Sequence, residues 1–170
     1  MLVLRCTQKV LKRFGQEPRQ IETSMPETLL GEWYVHIADE FDGEFALCVN
    51  AKSLYTLVLS IEKAKSLDRL VDAFLGSLVC HLVELGIDRS CMERVASDYS
   101  HVLVAKTANR SLLGSINDLT NHLYFHTGQQ MQDTGKLDLH AIEADLNMMP
   151  QRPIGWGFAR DRLIELCRQT

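Results

Sequence analysis

The sequence predicts an α+β fold: an antiparallel meander or hairpin sheet packed against several helices, with a helical C-terminal tail. Three observations carry that expectation. Two runs of alternating apolar residues, Trp33 to Phe41 and Glu44 to Asn50, meet at Asp42-Gly43, a strong hairpin signal because these residues tolerate the positive φ angles of a two-residue turn. Ser66 to Leu85 places Leu67, Leu70, Val71, Phe74, Leu75, Leu78, Val79, Leu82 and Val83 at helical spacing over a wide apolar face, as a long core-facing helix requires. Ser100 to Ala105 is a short β-branched apolar run, and the residues after Arg110 switch to a period of three and four, so a strand hands over directly to a helix.

Taken in order, Met1 to Cys6 reads as a strand, and Thr7 is placed to cap a helix from Gln8 to Phe14 that Gly15 ends. That helix turns Val10, Leu11 and Phe14 inward. Lys9, Lys12 and Arg13 face water and form a small basic cluster with Arg5, for which a solvated helix face is the simplest reading. Gln16 to Thr28 holds Pro18 and Pro26 without any period and is expected to be a loop, long enough to act as a flap. Tyr55 to Ile61 adds a third strand to the hairpin. Trp33, Tyr34 and His36, at the start of the hairpin, are expected to pack in the sheet.

Ser66 caps the long helix and Gly86 stops it; Asp88 opens another, to about Ser97, with Met92 and Val95 inward and Glu93 and Arg94 exposed. Beyond Thr127 the polar, glycine-bearing run TGQQMQDTGK reads as a linker or mobile loop. A helix over Leu137 to Asn147, a break at Pro150 to Gly157 and a closing helix from Phe158 to Arg168 follow. Trp156 and Phe158 imply that this tail packs on the body. The division is thus a core over residues 1–127 and a helical extension over 128–170, together one compact domain.

Composition limits the partners. The chain has 170 residues, 46% hydrophobic and 24% charged, enough for a core of its own. A net charge of −4 excludes a broad electrostatic grip on nucleic acid, leaving only a local basic patch for such a ligand. Cys6, Cys48, Cys80, Cys91 and Cys167 form no CxxC pair and are odd in number, as expected of reduced thiols in the cytoplasm. No apolar run reaches membrane-spanning length, and MLVLRC lacks the features of a signal peptide. The expected location is therefore cytoplasmic, with no membrane partner.

The least ordinary residues lie at the strand-to-helix junction, Lys106 to Asp118. Leu112, Leu113, Ile116, Leu119 and Leu123 form the buried side of the helix, while Arg110, Gly114, Asn117 and Asn121 recur on the other, with Ser111, Ser115 and Asp118 beside them. Thr107 or Asn109 can cap its first turn. Unpaired amides and the positive end of the helix dipole stabilise an anion there, Lys106, Arg110 and Ser111 add charge and donors, and Gly114 admits a close approach. A purely structural role has the same ingredients: caps, an Arg110–Asp118 pair, and a glycine under another segment.

Other chemistry is less marked. Asp118, His122 and His126 are spaced four apart and would form a metal-binding stripe if the helix reached His126, but no further ligand is marked, and neither metal nor cofactor is expected. A nucleophilic Ser111 or Cys6 needs a base and an orienting carboxylate that the sequence does not place. No GxSxG, P-loop or dinucleotide fingerprint occurs.

Three segments, MLVLRCTQKVLKR at the start, LGEWYVHI from Leu30 and KTANRSLLGSIND from Lys106, resemble an uncharacterised bacterial family, a domain of unknown function with an LRCTKKLL-like element, an LGDWYAN-like strand and a KTxNRSxLGSxND signature. The similarity runs from Met1 to Phe125. The signature matches at Lys106, Thr107, Asn109, Arg110, Ser111, Gly114, Ser115, Asn117 and Asp118; in the strand, Glu32 stands where the family has Asp, and Val35 and His36 where it has Ala and Asn. The resemblance implies a place to look but no activity. The leading expectation is a module that binds a phosphate-bearing ligand, nucleic acid or nucleotide, at the junction, with Arg5, Lys9 and Lys12 alongside. Two alternatives are a phosphoesterase or nuclease-like hydrolase using Asp118 and Arg110, and a protein-interaction component of a toxin–antitoxin or defence system.

Overall fold

A computed structural model of the chain describes residues 1–17, 28–40 and 43–169. The order of elements is β1 (Leu2–Cys6), α1 (Gln8–Arg13), β2 (Trp33–Glu40), β3 (Gly43–Asn50), β4 (Thr56–Ser60), α2 (Leu67–Glu84), α3 (Arg89–Asp98), β5 (Val102–Lys106), α4 (Arg110–Thr134), α5 (Leu139–Asn147), β6 (Pro150–Gln151), β7 (Gly157–Phe158) and α6 (Ala159–Arg168). Most of the Gln16–Thr28 loop and the Asp42 side of the hairpin turn lie outside the described residues, but β2 and β3 pair antiparallel down to Glu40 opposite Gly43.

The fold is α+β, with a mixed sheet. Strands β2, β3 and β4 form the expected meander, while β1 pairs parallel with both β2 and β5, giving the order β4-β3-β2-β1-β5. An antiparallel sheet was the natural expectation because hairpin turns are visible in a sequence and long-range parallel pairing is not. Alternation along the strands fills two cores. One face carries Leu2, Leu4, Cys6, Trp33, Val35, Ile37, Cys48 and Leu57 under α1, α2, α3 and α6. The other carries Tyr34, Ala38, Phe45, Leu47, Val49 and Val58 under α4 and α5.

Two local networks hold the sheet, one at its central strand β2 and one at its edge strand β4. Trp33 is fully buried with its ring 5.0 Å from Phe74 in an edge arrangement. Its indole N–H donates to the Tyr99 hydroxyl (2.8 Å), which in turn donates to the Gly31 carbonyl (3.1 Å), so the aromatic core leaves no polar atom stranded there. At one edge of the sheet, β4 would expose unpaired backbone groups, and α5 covers them. Asn147 accepts from the Thr56 amide and donates to the Thr56 carbonyl, and Glu143 accepts from the Val58 amide. Side chains of a helix here do what a further strand would otherwise do.

Helix α4 departs most from expectation. The run read as a linker continues the helix to Thr134, where Gly135 at φ 67° accepts the left-handed conformation that ends it. Polar composition misled because the segment is an exposed helix surface with buried Leu123 and Thr127 on its inner side, and a polar outer face does not break a helix. Two further expectations are corrected. Thr7 occupies the position before α1, but its hydroxyl makes no cap hydrogen bond. Val79 and Val83 are exposed, so the apolar face of α2 is narrower than its periodicity implies.

Candidate functional site

Strands β1 and β5 are neighbours in register, Cys6 opposite Lys106, so Thr7 and Thr107 leave the sheet side by side. Their helices then part: α1 packs on one face and α4 on the other. Adjacent parallel strands whose following helices take opposite faces open a crevice at their carboxyl ends, the place where ligands bind in open sheets. The junction lies at this crevice.

Asn109 is the cap of α4; its side-chain oxygen accepts from the Leu112 amide at 3.1 Å and its carbonyl from the Leu113 amide. That leaves the amides of Arg110 and Ser111, which have no partner within the helix and none among the described residues. Lys106, Arg110 and Ser111 are exposed and Thr107 is half-buried. Arg110 has no carboxylate partner among the described residues, and the suggested pair with Asp118 does not form. A side-chain carbon added at Gly114 would meet nothing within 4 Å, so no segment among the described residues requires glycine there by packing on it. Beside the junction, the Thr7 hydroxyl is buried without a hydrogen-bond partner among the described residues.

Arg5 ties the surroundings together. Its guanidinium forms a two-point ion pair with Glu32, at 2.6 and 2.8 Å, and donates to the Lys106 carbonyl at 3.1 Å. The hydrogen bond and charge of Glu32 raise the pKa of Arg5 further. The three segments that carry the family resemblance therefore meet on one side chain. This also corrects the expectation of a free basic cluster: Arg5 is engaged with Glu32, Lys9 with Asp39 and Arg13 with Glu44. The acids that neutralise these three come from β2, β3 and the residue before β2, while Lys12 stays exposed without a carboxylate partner among the described residues, as do Lys106 and Arg110 at the junction.

The exposed side of α4 runs on into a groove of about 430 Å³ against the segment after α5. Its α4 wall includes Ser115, Asp118 and His122, and the facing wall Gln151, Arg152 and Trp156. Ser115 is buried and its hydroxyl reaches back to the Ser111 carbonyl; Asn117 is exposed but does not line the groove. Trp156 is 67% exposed, contrary to the expectation that it packs inward, and holds a φ of 62°. A non-glycine residue in that conformation costs about 1–3 kcal/mol and must be held by its surroundings; here the β6–β7 pairing and a bond from its amide to the Gln151 carbonyl hold it. Arg152 and Trp156 were not among the residues expected from the sequence. Their signal was the proline- and glycine-bounded PQRPIGWG run, a turn able to display an aromatic ring.

The other chemical candidates do not assemble. Helix α4 does reach His126, but that ring lies 3.6 Å from Asp145, and Asp118, His122 and His126 do not converge on a common point among the described residues. Burial pushes the Cys6 thiol up to about 12, which removes it as a nucleophile. Half-buried His36 is held below its ordinary value by burial, with Lys9 adding repulsion. Among the described residues, no helix is long and apolar enough to cross a membrane. Compared with known families, residues 3–162 match the model of the domain of unknown function DUF6933, extending beyond Phe125, where the sequence resemblance ended. Comparison with curated proteins finds no match.

Proposed function

The chain belongs to the DUF6933 family, and on that premise, which supplies no chemistry, we propose that it binds a phosphate-bearing ligand, a nucleic acid or a nucleotide, along the exposed side of α4. The anion sits at the start of the helix and a base stacks on Trp156. The observation that carries this reading is the exposed Arg110, without a carboxylate partner among the described residues, on a helix start whose first two amides have no partner among them either. Anion, dipole and guanidinium reinforce one another at such a position. Gly114 keeps the next turn open, and from Arg110 to Asn121 the helix rises about 16 Å at 1.5 Å per residue, enough for a short phosphodiester strand. Trp156 supplies the sequence-tolerant stacking surface typical of single-strand binding.

The hydrolase alternative has Asp118 and His122 on one wall of the groove, but no carboxylate orients His122 among the described residues, so binding without turnover is the better-supported reading. The test is anisotropy titration of a labelled single-stranded oligonucleotide. Arg110→Ala is expected to weaken binding by about 1.5–3 kcal/mol, the loss of one charge-assisted hydrogen bond. Trp156→Ala is expected to weaken the oligonucleotide but not inorganic phosphate, and affinity should fall with salt. Binding indifferent to Arg110→Ala contradicts the proposal.

A further inference from the structure

We propose that His81, Glu84 and His140 form a divalent metal site where the C-terminal turn of α2 meets α5, with Glu143 set against His81. The two helices present the same spacing, histidine followed three residues later by glutamate: HLVE at residues 81–84 and HAIE at residues 140–143. Side chains three apart share one face of a helix, and these two faces are turned toward each other. The donor atoms of His81, Glu84 and His140 all lie within 4.8 Å of one another. His140 Nε2 is 3.8 Å from Glu84 Oε2, and His81 Nε2 is 3.2 Å from Glu143 Oε2. Ligands bound at about 2.0–2.2 Å around a tetrahedral ion stand about 3.4 Å apart. The donors of His81, Glu84 and His140 are therefore already close to that size, what contraction remains falls on the exposed Glu84 and His140, and Glu143 lies against His81 alone.

The inner half of the site is fixed. His81 and Glu143 are buried; the Tyr55 hydroxyl lies 2.8 Å from His81 Nδ1 and the Val58 amide donates to Glu143 Oε1. Holding one imidazole nitrogen aims the other at the ion, as the outer partners of metal-bound histidines do. When Nε2 takes an ion, Nδ1 carries the proton and the Tyr55 oxygen accepts from it. The outer half, Glu84 and His140, gives the ion a path in from solvent. Two imidazoles with a carboxylate select zinc or a similar first-row ion over magnesium or calcium. Since α2 covers one face of the sheet and α5 the edge strand β4, an ion here staples the two together. The proposal is independent of the anion site.

Calorimetric titration of the chelator-treated chain with zinc chloride tests it, with cobalt(II) as a spectroscopic probe. The expected result is one zinc per chain, a raised thermal midpoint, and a cobalt spectrum of nitrogen and oxygen ligands. His140→Ala and Glu84→Gln, both exposed positions that spare the fold, are each expected to weaken zinc at least about tenfold, and Tyr55→Phe by about tenfold through loss of the outer-shell partner. Cys80→Ser, next to His81, should change nothing. Absence of stoichiometric zinc, zinc that survives both ligand variants, or zinc lost with Cys80 overturns the proposal.

Discussion

Asn147→Leu is expected to lower the unfolding free energy by about 2–6 kcal/mol, since it strands two buried backbone groups at about 1–3 kcal/mol each. Asn147 both accepts from the amide and donates to the carbonyl of Thr56 and is almost wholly buried. Leucine fills similar space and satisfies neither group. Urea unfolding checks the size of the loss, and hydrogen exchange checks its place: the Thr56 amide should lose protection beyond what the global change explains. The edge of β4 would also be open to pairing with another chain, which sedimentation would detect as a concentration-dependent dimer. A loss below 1 kcal/mol would mean that α5 does not hold the edge.

Trp33→Ala is expected to cost about 3–5 kcal/mol, the usual loss for a fully buried large aromatic. The indole fills the space against Phe74 and its N–H satisfies Tyr99, which is itself bonded to Gly31. Trp33→Phe separates the two roles by keeping a ring while removing the donor, and should cost much less. Chemical denaturation of the two variants reads the difference. The consequence reaches the candidate site, because Glu32 precedes Trp33 and holds Arg5, which in turn bonds the Lys106 carbonyl. Loosening Trp33 should therefore weaken ligand binding at the junction as well as stability.

How much of this was legible in the sequence follows from the range of each interaction. Period and punctuation are local, so the hairpin strands, α2, the Asp88 cap and the handover from β5 to α4 were all readable. The parallel placement of β1 between β2 and β5 was not, since no turn residue records it. Charge compensation failed for the same reason: Lys9, Arg13 and Arg5 look free until strands from far along the chain bring Asp39, Glu44 and Glu32 beside them. The α4 extension was misread from composition, although buried Thr127, four residues after Leu123, continued the helical period.

Of the residues expected to bind at the junction, Ser115 and Asp118 line the groove, while the opposing Arg152 and Trp156 were not expected, because opposition across a groove is a tertiary fact. Along α5, polar Glu143 and Asn147 sit beside buried Ile142 and Leu146. A polar residue in a buried helical stripe signals a partner elsewhere, and the doubled histidine–glutamate spacing was visible too. Neither signal names its partner before β4 and α2 are in place.

The account rests on the start of α4 being an anion-binding end. Backbone NMR of the labelled chain titrated with a single-stranded oligonucleotide tests this most directly. The account predicts that the largest shifts fall on the amides of Arg110 and Ser111 and on the Trp156 indole, and that they vanish at high salt. Shifts confined to other surfaces, or none at the opening turn of α4, would contradict it.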